Sequence, residues 1–167
     1  MARTAINVYS VRALDEPTTA VLDRVADAGY DGVQFSGRHT PMNDDPDEIA
    51  DTLAERDLDV TPAHIGMGEL EDNREEVIET YETVGVESAV IPSISGEHFE
   101  SAEAVDAMAE RVNALADELA DEGWDLHYHN HAHEYADLGG EWAFDRFVDA
   151  TDVGIELAGQ VTGALVE

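Results

Sequence analysis

The sequence predicts an α/β fold, a parallel sheet covered by helices. Three observations predict it. Acidic, helix-like segments end at glycine and give way at once to a short apolar run, in AGYDGVQF (28–35), VGVESAVI (84–91) and EGWDLHYH (122–129). Gly29, Gly85 and Gly123 stand where the residue after a helix enters the left-handed region, which costs glycine nothing. Each run that follows has the length and composition of a buried parallel strand. Helix and strand then alternate through short connections, the pattern of crossover helices on a parallel sheet.

Taken in order, strands are expected near 4–11, 31–36, 59–65, 88–92, 124–131 and 153–158. Helices are expected between them, near 17–28, 46–56, 70–84, 101–122 and 140–150. Pro17 and Pro46 fit first-turn helical positions, with Glu16 and Asp45 just before them. Ser101 suits the N-cap of the long fourth helix, with Glu103 in its first turn. In that helix Val105, Met108, Val112, Leu115 and Leu119 form an apolar stripe at three- and four-residue spacing, a face for packing on a sheet.

Two architectures satisfy this order: an open doubly wound sheet and a (β/α)8 barrel. An open nucleotide-binding sheet needs a glycine-rich turn after its first strand. The residues there, YSVRALDEP, contain no glycine. A complete barrel takes about 250 residues, and this chain has 167. The residues leave both open, over one domain of 1–167 with about six parallel strands and five helices; the family resemblance given below implies the second, as a partial (β/α)8 barrel incomplete at its C-terminal end. Open strand edges invite pairing, so such a chain is expected to form a homo-oligomer that covers them, to collapse its gap, or to be marginally stable.

Composition narrows the partners. There are 39 acidic residues against 8 basic ones, all arginine, for a formal net charge of -31. Phosphate backbones and anionic membrane surfaces would be repelled, so neither nucleic acid nor membrane is an expected partner. The acids spread along helices and loops instead of forming a tail, which fits a halophilic protein whose self-repulsion is screened by salt. Without cysteine there is no disulfide, thiolate metal site or Cys nucleophile. The N-terminal MARTAINVYSVRAL lacks a signal-peptide core, so the expected location is cytoplasmic.

Barrel enzymes place their chemistry at the C-terminal ends of the strands. The expected strand ends here offer Tyr9 and Ser10, Gln34 and Ser36, His64, Pro92 and Ser93, then His129, His131 and Glu134, and finally Glu156. The stretch HYHNHAHEY (127–135) holds four of the seven histidines, at alternate positions 127, 129, 131 and 133. Alternate residues of a strand share a face. Imidazoles grouped there carry a desolvation cost unless they bond partners or a metal. Imidazole nitrogen with carboxylate oxygen suits a divalent ion, Mn²⁺, Zn²⁺, Co²⁺ or Mg²⁺. Such an ion could polarise a sugar carbonyl while a histidine or carboxylate moves a proton between adjacent carbons. The bland reading is a set of hydrogen-bonded strand-end histidines, and it is preferred for His39 and His98 in loops. The spacing is neither HExxH nor a helical histidine pair.

NVYSVRAL, GYDGVQFSG, VTPAHIG, YETVGVESAVIPS and LHYHNHAHEY follow one another in an order that resembles the xylose isomerase-like TIM-barrel proteins, the sugar phosphate isomerases/epimerases. The resemblance runs from about Thr4 to Glu167, and YHNH-x-x-E at 128–134 is its most specific part. It implies isomerisation, epimerisation or dehydration of sugars or polyols with one divalent metal. Ligands would come from the ends of strands five to eight. On strand five they would be Glu134 or the His129/His131 pair, with Glu156 on strand six. It also implies catalytic roles for Glu134, His131 and His64, and substrate contacts from Tyr9, Gln34, His64 and His129. Where the family carries a metal-binding aspartate on strand six, this chain has Ala158. The functional expectation is a metal-dependent sugar (phosphate) isomerase or epimerase acting by proton transfer beside a carbonyl. The alternative is a non-catalytic barrel that binds a sugar, a metal or a partner chain.

Overall fold

A computed structural model of the chain describes residues 3–156, as two compact units divided between Ala89 and Val90. In the first, β1 (Ala5–Asn7), β2 (Gly32–Gln34) and β3 (Asp59–Val60) form a parallel sheet in that order. The helices of this unit are α1 (Thr18–Asp27), α2 (Pro46–Arg56), α3 (Met67–Asp72) and α4 (Arg74–Thr83), and β4 (Ala63–His64) lies between α2 and α3. In the second unit α5 (Ala102–Asp121) and α6 (Ala143–Ala150) pack together. Its strands are β6 (Asp125–His129) and β7 (Gly154–Glu156), which pair in parallel. The unit boundary crosses β5 (Ser88–Ile91), and the strand order there is β5-β6-β7. The helices and parallel strands match a partial barrel, as expected.

Local chemistry sets most boundaries. Gly29, Gly85 and Gly123 have φ of 86°, 82° and 86°, so each ends its helix in the left-handed region. Asp45 caps α2 by accepting from the Asp47 and Glu48 amides, with Pro46 in the first turn. Ser101 caps α5 by accepting from the Ala104 amide. Pro17 differs from expectation: it takes the N-cap position of α1, and Glu16 instead pairs with Arg24. The α5 stripe of Val105, Met108, Val112, Leu115 and Leu119 is buried throughout. Beside it, Phe147 of α6 meets Phe99 and Tyr128 edge-on at 5.6 and 5.0 Å.

Strands are shorter than the apolar runs suggest, for identifiable reasons. The first stops at Asn7, whose side chain accepts the Tyr9 amide and turns Val8–Val11 into a 3-10 turn. The third splits at Pro62, which has no amide to give the ladder. Bonding to the β2 segment continues past the split, with Thr61 N donating to Val33 O and His64 N to Phe35 O, just after β2. The expected helix over 70–84 begins at Met67 and breaks at Asn73. The last helix starts at Ala143 because Asp137 accepts the Gly139 and Gly140 amides, both with positive φ, and shapes a turn before it. The last expected strand contributes Gly154–Glu156, and Ala158 lies outside the described residues.

Candidate functional site

Four candidate residues close their strands: Asn7 ends β1, Gln34 ends β2, His64 ends β4 and His129 ends β6. Glu156 lies on β7 and is the last described residue. Parallel register then fixes their neighbours. Asn7 pairs with Gln34 in the first unit, and His129 with Glu156 in the second.

In the first unit these residues form a network of amides, a hydroxyl and one imidazole. Asn7 Nδ2 donates to Gln34 Oε1 at 2.6 Å, and Gln34 Nε2 donates to the Pro62 carbonyl at 2.9 Å. His64 Nδ1 lies 3.4 Å from both Asn7 Nδ2 and the buried Ser36 Oγ. Amides and a hydroxyl held at a strand-end rim suit sugar hydroxyls, which both donate and accept. Tyr9 sits apart, on the 3-10 turn, half-exposed at 51% and with its ring against Gly37. His39 is buried, on an isolated bridge with Ser36.

The second unit gathers the charged groups. His129 Nδ1 meets Glu156 Oε1 at 2.9 Å. A carboxylate can only accept, so Nδ1 carries the proton. This is how a carboxylate orients a metal-binding imidazole. The His127 ring lies against the backbone of Gly154, where a Cβ would run into it. Glycine at that position lets His127 and His129 share one face while Leu126 and Tyr128 are buried on the other.

The alternation of histidines does not continue as strand. β6 ends at His129, and His131 and His133 project from the loop beyond it. Glu134 causes the departure. Its Oε2 accepts the His131 amide at 2.7 Å, which takes that amide from the ladder. Its Oε1 accepts the Tyr128 hydroxyl at 2.6 Å. Glu134 is fully buried, and burial beside this carboxylate pushes the Tyr128 hydroxyl far above its ordinary pKa, because the anion would be both desolvated and repelled. The three histidine rings follow outward from the strand end, His129 meeting His131 edge-on at 5.1 Å and His131 stacking on His133 at 5.6 Å.

A metal is implied by the resemblance, so the donor sets were compared with what an ion requires. His131, His133 and Glu134 have ligand atoms within 4.8 Å of one another. They fit poorly, because His133 Nε2 bonds the Ile94 carbonyl at 2.8 Å and must carry the proton there. Both Glu134 oxygens are also engaged. His129 and Glu156 place one imidazole and one carboxylate side by side, both partly exposed, with their mutual bond using Nδ1 and Oε1. Sequence reasoning missed Asn7, whose only signal was a polar residue closing the run AIN, and missed Tyr128 as the partner of Glu134.

A family model described as xylose isomerase-like TIM barrel matches residues 22–157. The chain belongs to this family. Among solved structures it is similar to a sugar phosphate isomerase/epimerase from Parabacteroides distasonis, with a TM-score of 0.73 and 18% identity over 93% of this chain and 64% of that one. An AP endonuclease of family 2 from Brucella melitensis gives 0.67 and 19%, over 94% of this chain and 67% of that one. A xylose isomerase domain containing protein from Salmonella typhimurium gives 0.65 and 14%, over 92% and 59%. At these identities the likeness is one of fold, and the chain spans less than two thirds of the first structure's length. No curated protein matches the chain. Among the described residues, no helix of this family member is long and apolar enough to cross a membrane.

Proposed function

We propose that the chain is a metal-dependent sugar or sugar phosphate isomerase or epimerase, moving a proton between carbons beside a carbonyl. The observation that carries this reading is the pairing of His129 with Glu156 on adjacent strands, the carboxylate fixing the imidazole proton at Nδ1. These two residues would hold a divalent ion. When bound, such an ion polarises a carbonyl oxygen of the substrate. Asn7, Gln34 and His64 bind hydroxyl groups. His131, 35% exposed in its side chain and backed by Glu134 Oε1 at 3.8 Å, is the candidate proton carrier, with His64 as the second. Glu134 is assigned a positioning role, since its buried oxygens hold Tyr128 and the His131 backbone.

The test uses the full chain purified in high salt. Metal content is measured, then exchange of solvent hydrogen into the carbon beside the carbonyl of candidate ketoses. Bound divalent metal with exchange that stops on chelation is expected. A protein with neither metal nor exchange would sink the reading. Metal bound without exchange would favour the binding module instead.

A further inference from the structure

We propose that Arg12, carried on Tyr9, is an anchor for an anionic group on the substrate, a phosphate or carboxylate attached to the polyol. This deepens the reading above and rests on it. The setting makes Arg12 unusual. In a chain with 39 acidic residues, Arg3, Arg24, Arg38, Arg56 and Arg146 each sit against a carboxylate. Arg12 does not, among the described residues. Its guanidinium lies 4.2 Å from the centre of the Tyr9 ring, and its NH1 donates to the Tyr9 carbonyl at 2.9 Å. Both contacts hold the head group in place and neither neutralises it.

The platform beneath it is built from the strand-end network. Asn7 Oδ1 accepts the Tyr9 amide at 2.9 Å, while the same side chain donates to Gln34. The Tyr9 ring rests over Gly37, where an added Cβ would stand only 3.1 Å from Cδ2. Gly37 also has φ of 68°, so a side chain there would be strained as well as crowded. Gly37, Tyr9 and Arg12 thus form a stack beside residues already read as hydroxyl-binding. A planar guanidinium with donors left over matches two oxygens of a phosphate or carboxylate. Tyr9 keeps the role of a substrate-side residue through this stack.

The experiment is equilibrium binding to the full chain at the lowest salt that keeps it folded, with three probes: fructose, fructose 6-phosphate and gluconate. Wild type should bind at least one anionic probe roughly ten-fold or more tightly than fructose, as a charged hydrogen-bonded contact implies. The better of the two anions identifies the group. Arg12→Gln should erase most of that preference and leave fructose affinity within about two-fold. Tyr9→Leu should reduce it partially, and Arg12→Lys should retain part of it. The exposed position of Arg12 predicts unchanged folding, checked by circular dichroism. Equal affinity for all three probes, or a preference that survives Arg12→Gln, overturns the anchor while sugar binding still supports the site. Binding of none of the probes overturns the anchor too, and solvent hydrogen exchange then decides separately whether the isomerase reading survives.

Discussion

The two polar networks are built by the same device and filled differently. In each, parallel register brings polar residues of neighbouring strands side by side. The first network holds two amides, a hydroxyl and one histidine, with no carboxylate among the contacts described. The second couples histidines to two carboxylates, Glu156 partly exposed on β7 and Glu134 fully buried. The contrast teaches that position in the ladder supplies geometry, while residue type and burial decide the chemistry. Amides and a hydroxyl at a rim can exchange hydrogen bonds with hydroxyl groups. An exposed imidazole–carboxylate pair offers an ion a place, and a buried carboxylate becomes scaffold.

The comparison breaks most visibly at Glu134. Glu134→Ala would strand the Tyr128 hydroxyl and the His131 amide in a buried site, with a cost of about 3 kcal/mol or more in denaturant unfolding. Stability close to wild type would show that the carboxylate is not scaffold. At His129 the expected effect is on metal instead. His129→Ala should lower metal retention by roughly ten-fold or more, as loss of a ligand or its orienting partner does, while unfolding stability shifts by about 1 kcal/mol or less. Glu156→Gln should weaken retention in the same direction. If elemental analysis finds metal unchanged in both variants, the ion belongs elsewhere. The first network should respond only through substrate. Gln34→Leu should raise KM for a sugar roughly ten-fold with little change in kcat, the mark of lost ground-state binding. A large fall in kcat instead would move Gln34 into the chemistry.

The smallest effect lies outside both networks and serves as a control. Arg146 clasps Asp106 through two bonds of 2.7 Å, joining α6 to α5. That guanidinium holds the Asp106 carboxyl below its ordinary range. A carboxyl lowered in the folded state adds stability that is complete above its unfolded value and is lost as pH falls through the folded one. Asp106→Asn should therefore lower stability slightly at neutral pH and flatten the acid limb, so that variant and wild type converge as pH falls below about 4. Because the pair is exposed, added salt should shrink the difference.

What was legible in the sequence follows the range of the interaction. Helix α2 appears where Asp45, Pro46 and the following residues place it, because capping is decided within a turn. The glycine punctuation was equally readable for that reason. Strand ends were less so. Asn7 and Glu134 each end a strand by turning a side chain back onto a nearby amide, and apolar patterning carries no record of that competition. His129 and Glu156 stood out as polar residues closing apolar runs, whereas their adjacency needed the register of β6 on β7. The burial of Glu134 was hidden because it depends on a tyrosine hydroxyl six residues earlier pointing beneath the loop. Arg12 was passed over because an arginine near a turn is ordinary until five others are seen to sit against carboxylates.

The bond from the His131 amide to buried Glu134 has a consequence for motion. A loop that projects histidines would ordinarily open on its own, and its amides would exchange with solvent quickly. Here the acceptor of that amide is also fastened to Tyr128, whose ring packs on Phe147 of α6. Releasing the amide means disturbing the aromatic core. The His131 amide should therefore exchange with the slow class of β6, and the histidine loop should open with its strand, as one cooperative piece.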